Sequence, residues 1–170
     1  LKKHFLPDSS DNPEKLPIST ISILLAGVAN NIFIGTNEYG LCVYNKEDET
    51  FRRLNTGNSG LNNNSVPHLI PFGKDSVLIA TFRGLNILNT RDMTITAVNM
   101  DMKAKGALSH YSIHSMLIDR DQTLWVGTYS AGVNYHSPFH RPTSFITPKA
   151  FAGVLGQGQE DNKGNMWFAT

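Results

Sequence analysis

His110 and His114 stand four residues apart, and so do His136 and His140. On a helix this spacing puts two imidazoles on one face, where they can bind zinc. Here the neighbouring residues read as loop and strand, and no cysteine or carboxylate completes a ligand set, so these histidines are expected to be structural or solvated. Acids pair at Asp48-Glu49, at Asp119 with Asp121, and at Glu160-Asp161. Glycoside hydrolysis needs two carboxylates about 5 to 10 Å apart across a cleft. These acids fall mostly in turn sequences instead, where Asp accepts hydrogen bonds from backbone N–H groups. The stretch "GVLGQG" at Gly153 to Gly158 has the wrong glycine spacing for a nucleotide loop and no strand-then-helix context. The chain shows no phosphoacceptor-histidine helix and no ATP-binding glycine box. No catalytic residue, metal or cofactor is expected.

Another group of residues suits recognition. "NEY" (Asn37, Glu38, Tyr39), "FR" (Phe82, Arg83) and "YSA" (Tyr129 to Ala131) each follow an apolar phrase ending in Thr. His110-Tyr111 and Asn62 to Asn64 lie in the connections between units. Aromatic rings beside amides and a cation suit a sugar. The ring covers the apolar C–H face and the polar groups take the hydroxyls. A short oligosaccharide is therefore the expected ligand of Asn37, Glu38, Tyr39, Phe82, Arg83, His110, Tyr111 and Tyr129. The competing reading is ordinary exposed loops whose rings shield apolar edges.

The elements that place these loops come from a repeat. Four phrases align: "IFIGT" (Ile32 to Thr36), "VLIAT" (Val77 to Thr81), "LWVGT" (Leu124 to Thr128) and "MWFAT" (Met166 to Thr170). Their final Thr residues are 45, 47 and 42 apart. Twelve residues before the column Phe33, Leu78, Trp125, Trp167 stand Ile21, Val66, Ile113 and Leu155. Five residues before Ile21, Val66, Ile113 and Leu155 come Leu16, Leu61, Leu108 and, as a weak fourth, Ala150. A Gly-apolar pair follows the first three phrases: Gly40-Leu41, Gly84-Leu85 and Gly132-Val133.

Within each unit the apolar runs are short, rich in β-branched and aromatic residues, and bounded by Gly, Asn and Asp, as in strands. Turns are expected at residues 29–31, 73–75, 120–122 and 162–165, where such residues supply positive φ. "TFRRL" (Thr50 to Leu54), "TITAV" (Thr94 to Val98) and "TSFIT" (Thr143 to Thr147) read as fourth strands.

Four short antiparallel strands at a period near 45 predict an all-β fold, a β-propeller fragment. One blade has two apolar faces and buries neither alone, so blades must stack. Three complete blades are expected at 16–54, 61–98 and 108–147. Residues 1–6 read as the outer strand of a preceding blade, and 154–170 as the first half of another. A closed propeller needs about four to eight blades. The remaining blades of a longer parent chain are therefore expected partners, with a homodimer as another way to cover the open faces.

Bulk properties are permissive. The net charge is +1, with 40% hydrophobic and 17% charged residues. That balance gives no drive toward nucleic acid or an anionic membrane. The single cysteine, Cys42, makes no internal disulfide and suits either the cytoplasm or a periplasmic domain without disulfides. No apolar run is long enough to span a bilayer, so membrane attachment is expected only through the parent.

The units resemble the two-component regulator propeller repeat, whose pattern runs V-x-x-I-x-x-D-x-x-G-x-L-W-I-G-T and then G-G-L. "IHSMLIDRDQTLWVGTYSAGVNYHSPFHRPTSF" matches it best, and "GQGQEDNKGNMWFAT" matches in part. Gln122 replaces the usual turn glycine, Gly27 and Phe72 replace the Asp, and the first two units lack the Trp. The resemblance implies the periplasmic sensor region of a Bacteroidetes hybrid histidine kinase, detecting glycan fragments and controlling transcription. Alternatives are a structural or protein-binding propeller and, further off, a propeller polysaccharide lyase.

Overall fold

The computed structural model describes residues 5–8, 12, 14–17, 20–28, 30–98, 107–138, 140–146 and 156–169. Unit 1 contains β1 (Ile21–Val28), β2 (Asn31–Thr36), β3 (Leu41–Asn45) and β4 (Thr50–Leu54). Unit 2 contains β5 (His68–Pro71), β6 (Ser76–Thr81), β7 (Gly84–Asn89) and β8 (Ile95–Ala97). Unit 3 contains β9 (Ile113–Ile118), β10 (Leu124–Thr128), β11 (Val133–Ser137) and β12 (His140–Ile146). Two further strands, β13 (Gly158–Glu160) and β14 (Met166–Phe168), pair with each other. Units 1 to 3 are each a four-stranded sheet in sequential order, and every pair is antiparallel. No helix occurs among the described residues. The fold is all-β, built of sheets that form partial propeller blades.

The first strands of successive units meet: β1 lies against β5, β5 against β9, and β9 against β13. In units 1 to 3 these are edge strands of their sheets. Leu155, expected in this column, lies outside the described residues. Val66 stands just ahead of its strand rather than within it. Its N–H donates to the Thr36 carbonyl of unit 1 (2.8 Å), and Pro67, with no N–H to offer, delays pairing until His68.

Period-two alternation divides each second strand between two interfaces. Phe33 joins Leu69, Val77 and Ile79 in the core between units 1 and 2. Leu78 and Ala80 join Ile113, Met116 and Val126 in the core between units 2 and 3. The Phe33 column thus faces the following unit, and the Ile34, Ile79, Val126 column faces the preceding one. Trp125 follows the rule, with its ring 6.4 Å from that of Phe168. Trp167, the last member of the column, has no following unit beside it and is 64% exposed. It points away from unit 3, and its indole N–H donates to Asp161 Oδ2 (3.0 Å).

Small residues before each Thr allow this approach. A Cβ added at Gly35 would lie 2.5 Å from the Val66 carbonyl oxygen. On the other side of unit 1, Phe5 packs with Tyr44 and Phe51, ring centroids 4.9 and 5.2 Å away. Of the outer strand expected at residues 1–6, Phe5 and Leu6 are described and are not in a strand, and Leu1 to His4 lie outside the described residues.

The hairpin turns use positive φ at Asn30, Gly73, Gln122 and Gly164. Gln122 adopts the left-handed conformation although it is not glycine, with φ 61°. Asp119 holds that turn. Its Oδ1 accepts from the N–H groups of Asp121 (3.0 Å) and Thr123 (2.9 Å), and its Oδ2 from the Trp125 indole (2.7 Å). Asp161 repeats the arrangement with Lys163, Asn165 and Trp167. The Trp167 indole and the Asn165 amide hold the Asp161 carboxyl well below the usual carboxylate range. These acids are turn organisers, as their sequence positions suggest.

Candidate functional site

The loops after β2, β6 and β10 are built alike. Thr36, Thr81 and Thr128 are fully buried. Each donates its hydroxyl to a carbonyl across the loop, of Gly40, Gly84 or Gly132, at 2.8 Å. Each hydroxyl oxygen also accepts a loop N–H, from Tyr39 (3.0 Å), Arg83 (3.1 Å) or Ala131 (3.2 Å). This clasp explains why the repeated phrase ends in Thr and is followed by Gly. It fixes the ends of the loop and leaves the intervening side chains free to face outward.

Connections between units reach the same end of the sheets. The Gly40 N–H donates to the Asn64 carbonyl (2.8 Å), and Asn62 Nδ2 donates to the Arg83 carbonyl (3.0 Å). Asn62 is also locked to buried Asn86, whose Oδ1 accepts the Asn62 N–H (3.1 Å) and whose Nδ2 donates to Asn62 Oδ1 (2.9 Å). Ser109 and buried Asn134 form the equivalent pair in unit 3.

On this frame the expected site residues separate into three groups. Phe82 and Tyr129 belong to one continuous array through His114. Phe82 stacks on His114 (centroids 5.0 Å, 25° between planes), and His114 lies beside Tyr129 (5.3 Å, 40°). The array crosses the boundary between units 2 and 3. Its outer members are exposed, Phe82 by 37% and Tyr129 by 51%. His110 and Tyr111 form a separate stacked pair (4.8 Å, 21°), with His110 Nδ1 accepting the Ser112 N–H (3.0 Å). Tyr39 is half-buried and lies beneath the Arg53 guanidinium, 5.4 Å from its ring centre. Asn37 and Glu38 are exposed beside it. Among the described residues no ring contact joins Tyr39 to the Phe82 array.

His114 is the residue that sequence reasoning set aside. Its Nε2 is buried with no hydrogen-bond partner among the described residues, and burial holds its pKa below the usual histidine value. The ring is therefore neutral near pH 7 and presents an apolar face between two exposed rings.

Two open grooves lie elsewhere. One, of about 650 Å³, runs along β4 and is lined by Glu14, Lys15, Phe51, Arg52 and Arg53 among others. The other, of about 530 Å³, lies at the opposite end of β10, between the Asp119 turn and Met166. Asp119 is already committed to its turn. No cluster of three or more metal-ligating side chains occurs among the described residues.

Comparison with known proteins bears on the unit that contributes His114 and Tyr129. Residues 107–130 match the two component regulator propeller family. No curated protein matches the chain. Among solved structures, the extracellular domain assigned to the hybrid two component system BT3049 of B. thetaiotaomicron superposes with a TM-score of 0.77 at 18% identity. The match covers 96% of this chain and 23% of that one. The corresponding domain of BT4673 from the same organism gives a TM-score of 0.60 at 15% identity, covering 93% and 27%. The WD40 β-propeller domain of Doa1 gives 0.67 at 9% identity, covering 91% and 49%. At these identities the likeness shows the propeller fold. The chain spans about a quarter of each of the two B. thetaiotaomicron domains.

Proposed function

We propose that this chain is part of the periplasmic ligand-sensing propeller of a hybrid two-component histidine kinase. In this reading the parent is anchored in the inner membrane and relays occupancy of the propeller to transcription. The regulator-propeller match at residues 107–130 and the likeness to extracellular domains of two component systems support the assignment. No helix of the described residues is long and apolar enough to cross a membrane, so attachment falls to other parts of the parent. Exposed Leu24 and Trp167, at opposite ends of the arc, would be covered by further blades or by a second copy.

The ligand is a glycan fragment. The observation that carries this is the exposed Phe82–His114–Tyr129 array, held at the loop end of a rigid sheet frame. Loops can vary there without disturbing the stacked sheets, which is why binding concentrates on them. Separated rings edged by Asn62 and Arg83 suit an extended sugar chain better than a compact metabolite.

Calorimetric titration of the purified protein with a panel of oligosaccharides tests the reading. Phe82→Ala and Tyr129→Ala should weaken binding, each with an unchanged melting temperature. Equal binding by both variants places the site elsewhere. If no glycan binds and a defined protein partner does, the scaffold alternative replaces this reading.

A further inference from the structure

We infer that the Phe82–His114–Tyr129 shelf selects an acidic sugar, with a hexuronate ring lying on the aromatic faces and its carboxylate on Arg83. The inference rests on the glycan-sensing reading and specifies its ligand class.

It starts from the placement of charge. The loops that frame this end of units 2 and 3 comprise residues 55–67, 82–83, 107–112 and 129–132. Among these described residues Arg83 is the one formally charged side chain and none is a carboxylate; Asp101, Lys103 and Lys105 of the same connection lie outside the described residues. Two backbone bonds fix where Arg83 stands: its N–H donates to Thr81 Oγ1 (3.1 Å) and its carbonyl accepts from Asn62 Nδ2 (3.0 Å). Its side chain is exposed, and the guanidinium makes no hydrogen bond or ion pair with the described residues.

The contrast with unit 1 is informative. There the ring of the equivalent loop, Tyr39, is already covered by the cation of Arg53. In units 2 and 3 the rings stack on one another, and the exposed Arg83 follows Phe82 directly in the chain. A planar guanidinium offers paired N–H donors matched to a carboxylate, with stronger bonds than to a neutral hydroxyl. The adjacent rings supply an apolar surface for the C–H face of the same sugar residue. Among the described residues of these loops no carboxylate competes for Arg83 or repels the ligand.

The test uses trisaccharides of galacturonate, glucuronate and mannuronate, each paired with its methyl ester, which keeps the ring and removes the charge. Binding is measured by calorimetry, and ligand protons in contact are identified by saturation-transfer NMR. At least one acid should bind roughly tenfold or more tightly than its ester, as expected for a charge-assisted contact. Arg83→Gln should abolish that preference and leave ester binding nearly unchanged. His114→Leu, which removes the middle ring, should weaken acid and ester alike, with the melting temperature showing that the fold is intact. If the esters or neutral oligosaccharides bind as well as every acid, or if Arg83→Gln leaves the preference intact, acid selection by Arg83 is overturned while glycan sensing stands. If the acids bind and His114→Leu has no effect, the shelf is not their site. If no sugar of any kind binds, this inference and the glycan reading fail together.

Discussion

Replacing Thr128 by Val separates the hydroxyl from the methyl in the loop clasp. Thr128 is fully buried, donates to the Gly132 carbonyl at 2.8 Å and accepts the Ala131 N–H at 3.2 Å. Valine keeps the shape and loses both bonds. The Gly132 carbonyl is not orphaned, because the Thr128 backbone N–H also reaches it (3.0 Å). The half-buried Ala131 N–H does lose its partner. A net hydrogen bond contributes about 1 kcal/mol and an orphaned buried donor costs about 1 more, so Thr128→Val should destabilise by about 2 kcal/mol. Thr128→Ser keeps both bonds and loses a buried methyl, costing about 1 kcal/mol. With a urea m-value of about 2 kcal/mol/M, valine should lower the unfolding midpoint by about 1 M and serine by about half that. Thr36→Val should match Thr128→Val, since its bonds are the same. Thr81→Val should cost more, because Thr81 Oγ1 also lies 2.7 Å from Asn62 Oδ1. The assay is equilibrium urea unfolding with m unchanged. If serine costs more than valine at Thr128, packing of the methyl holds the loop and the clasp argument is refuted.

Other perturbations probe the interfaces and the buried groups. Gly35→Ala should destabilise by about 2 kcal/mol in the same assay, because the new Cβ meets the Val66 carbonyl oxygen at 2.5 Å. Burial pushes the Cys42 thiol up to about 11, only partly offset by Arg53, so a disulfide reagent at pH 8 should label it in denaturant and not in the native protein. Burial also lowers the pKa of His68 and His114 from 6.5. Above that pH both are neutral in either state. As pH falls below 6.5 the unfolded chain takes up protons first, so the urea midpoint should drop until the folded-state pKa values are reached. Both His68 ring nitrogens lack partners among the described residues, so His68→Phe should remove part of that drop, which a pH 8 to pH 5 series measures.

The blades were legible because their determinants are local and repeated. The column of Phe33, Leu78 and Trp125 needs only strand alternation to be read, and each of its members faces the next unit. Departures from the expected strands have local causes too, as where Pro67 delays β5 past Val66. The ring array was half legible. Phe82 and Tyr129 stand at a recognisable loop position. His114 gains its meaning only when stacking brings β9 of one unit against the loop of the previous one, and no local pattern encodes that meeting. Tyr39 shows the converse. Its sequence position matches theirs, but Arg53 from β4 of its own blade covers its ring.

The same frame accounts for a difference between units that has no counterpart in the apolar columns. In unit 2 the buried Asn86 side chain accepts the Asn62 N–H, and in unit 3 Asn134 does the same for Ser109. The corresponding positions in unit 1 are Cys42 and Pro17. Proline has no N–H, so no acceptor is needed opposite it, and an asparagine there would bury an amide without that partner. Cys42 is fully buried beside Ile34 and Tyr44 instead. The polar lock is thus present where a connection between units offers a donor, and it anchors those connections to the sheets. Asn62 is both part of that lock and the donor to the Arg83 carbonyl, so the element that joins units 1 and 2 also sets where the cation beside the rings stands. Positioning of the ring shelf is therefore a property of two adjacent blades, and a single isolated blade would not reproduce it.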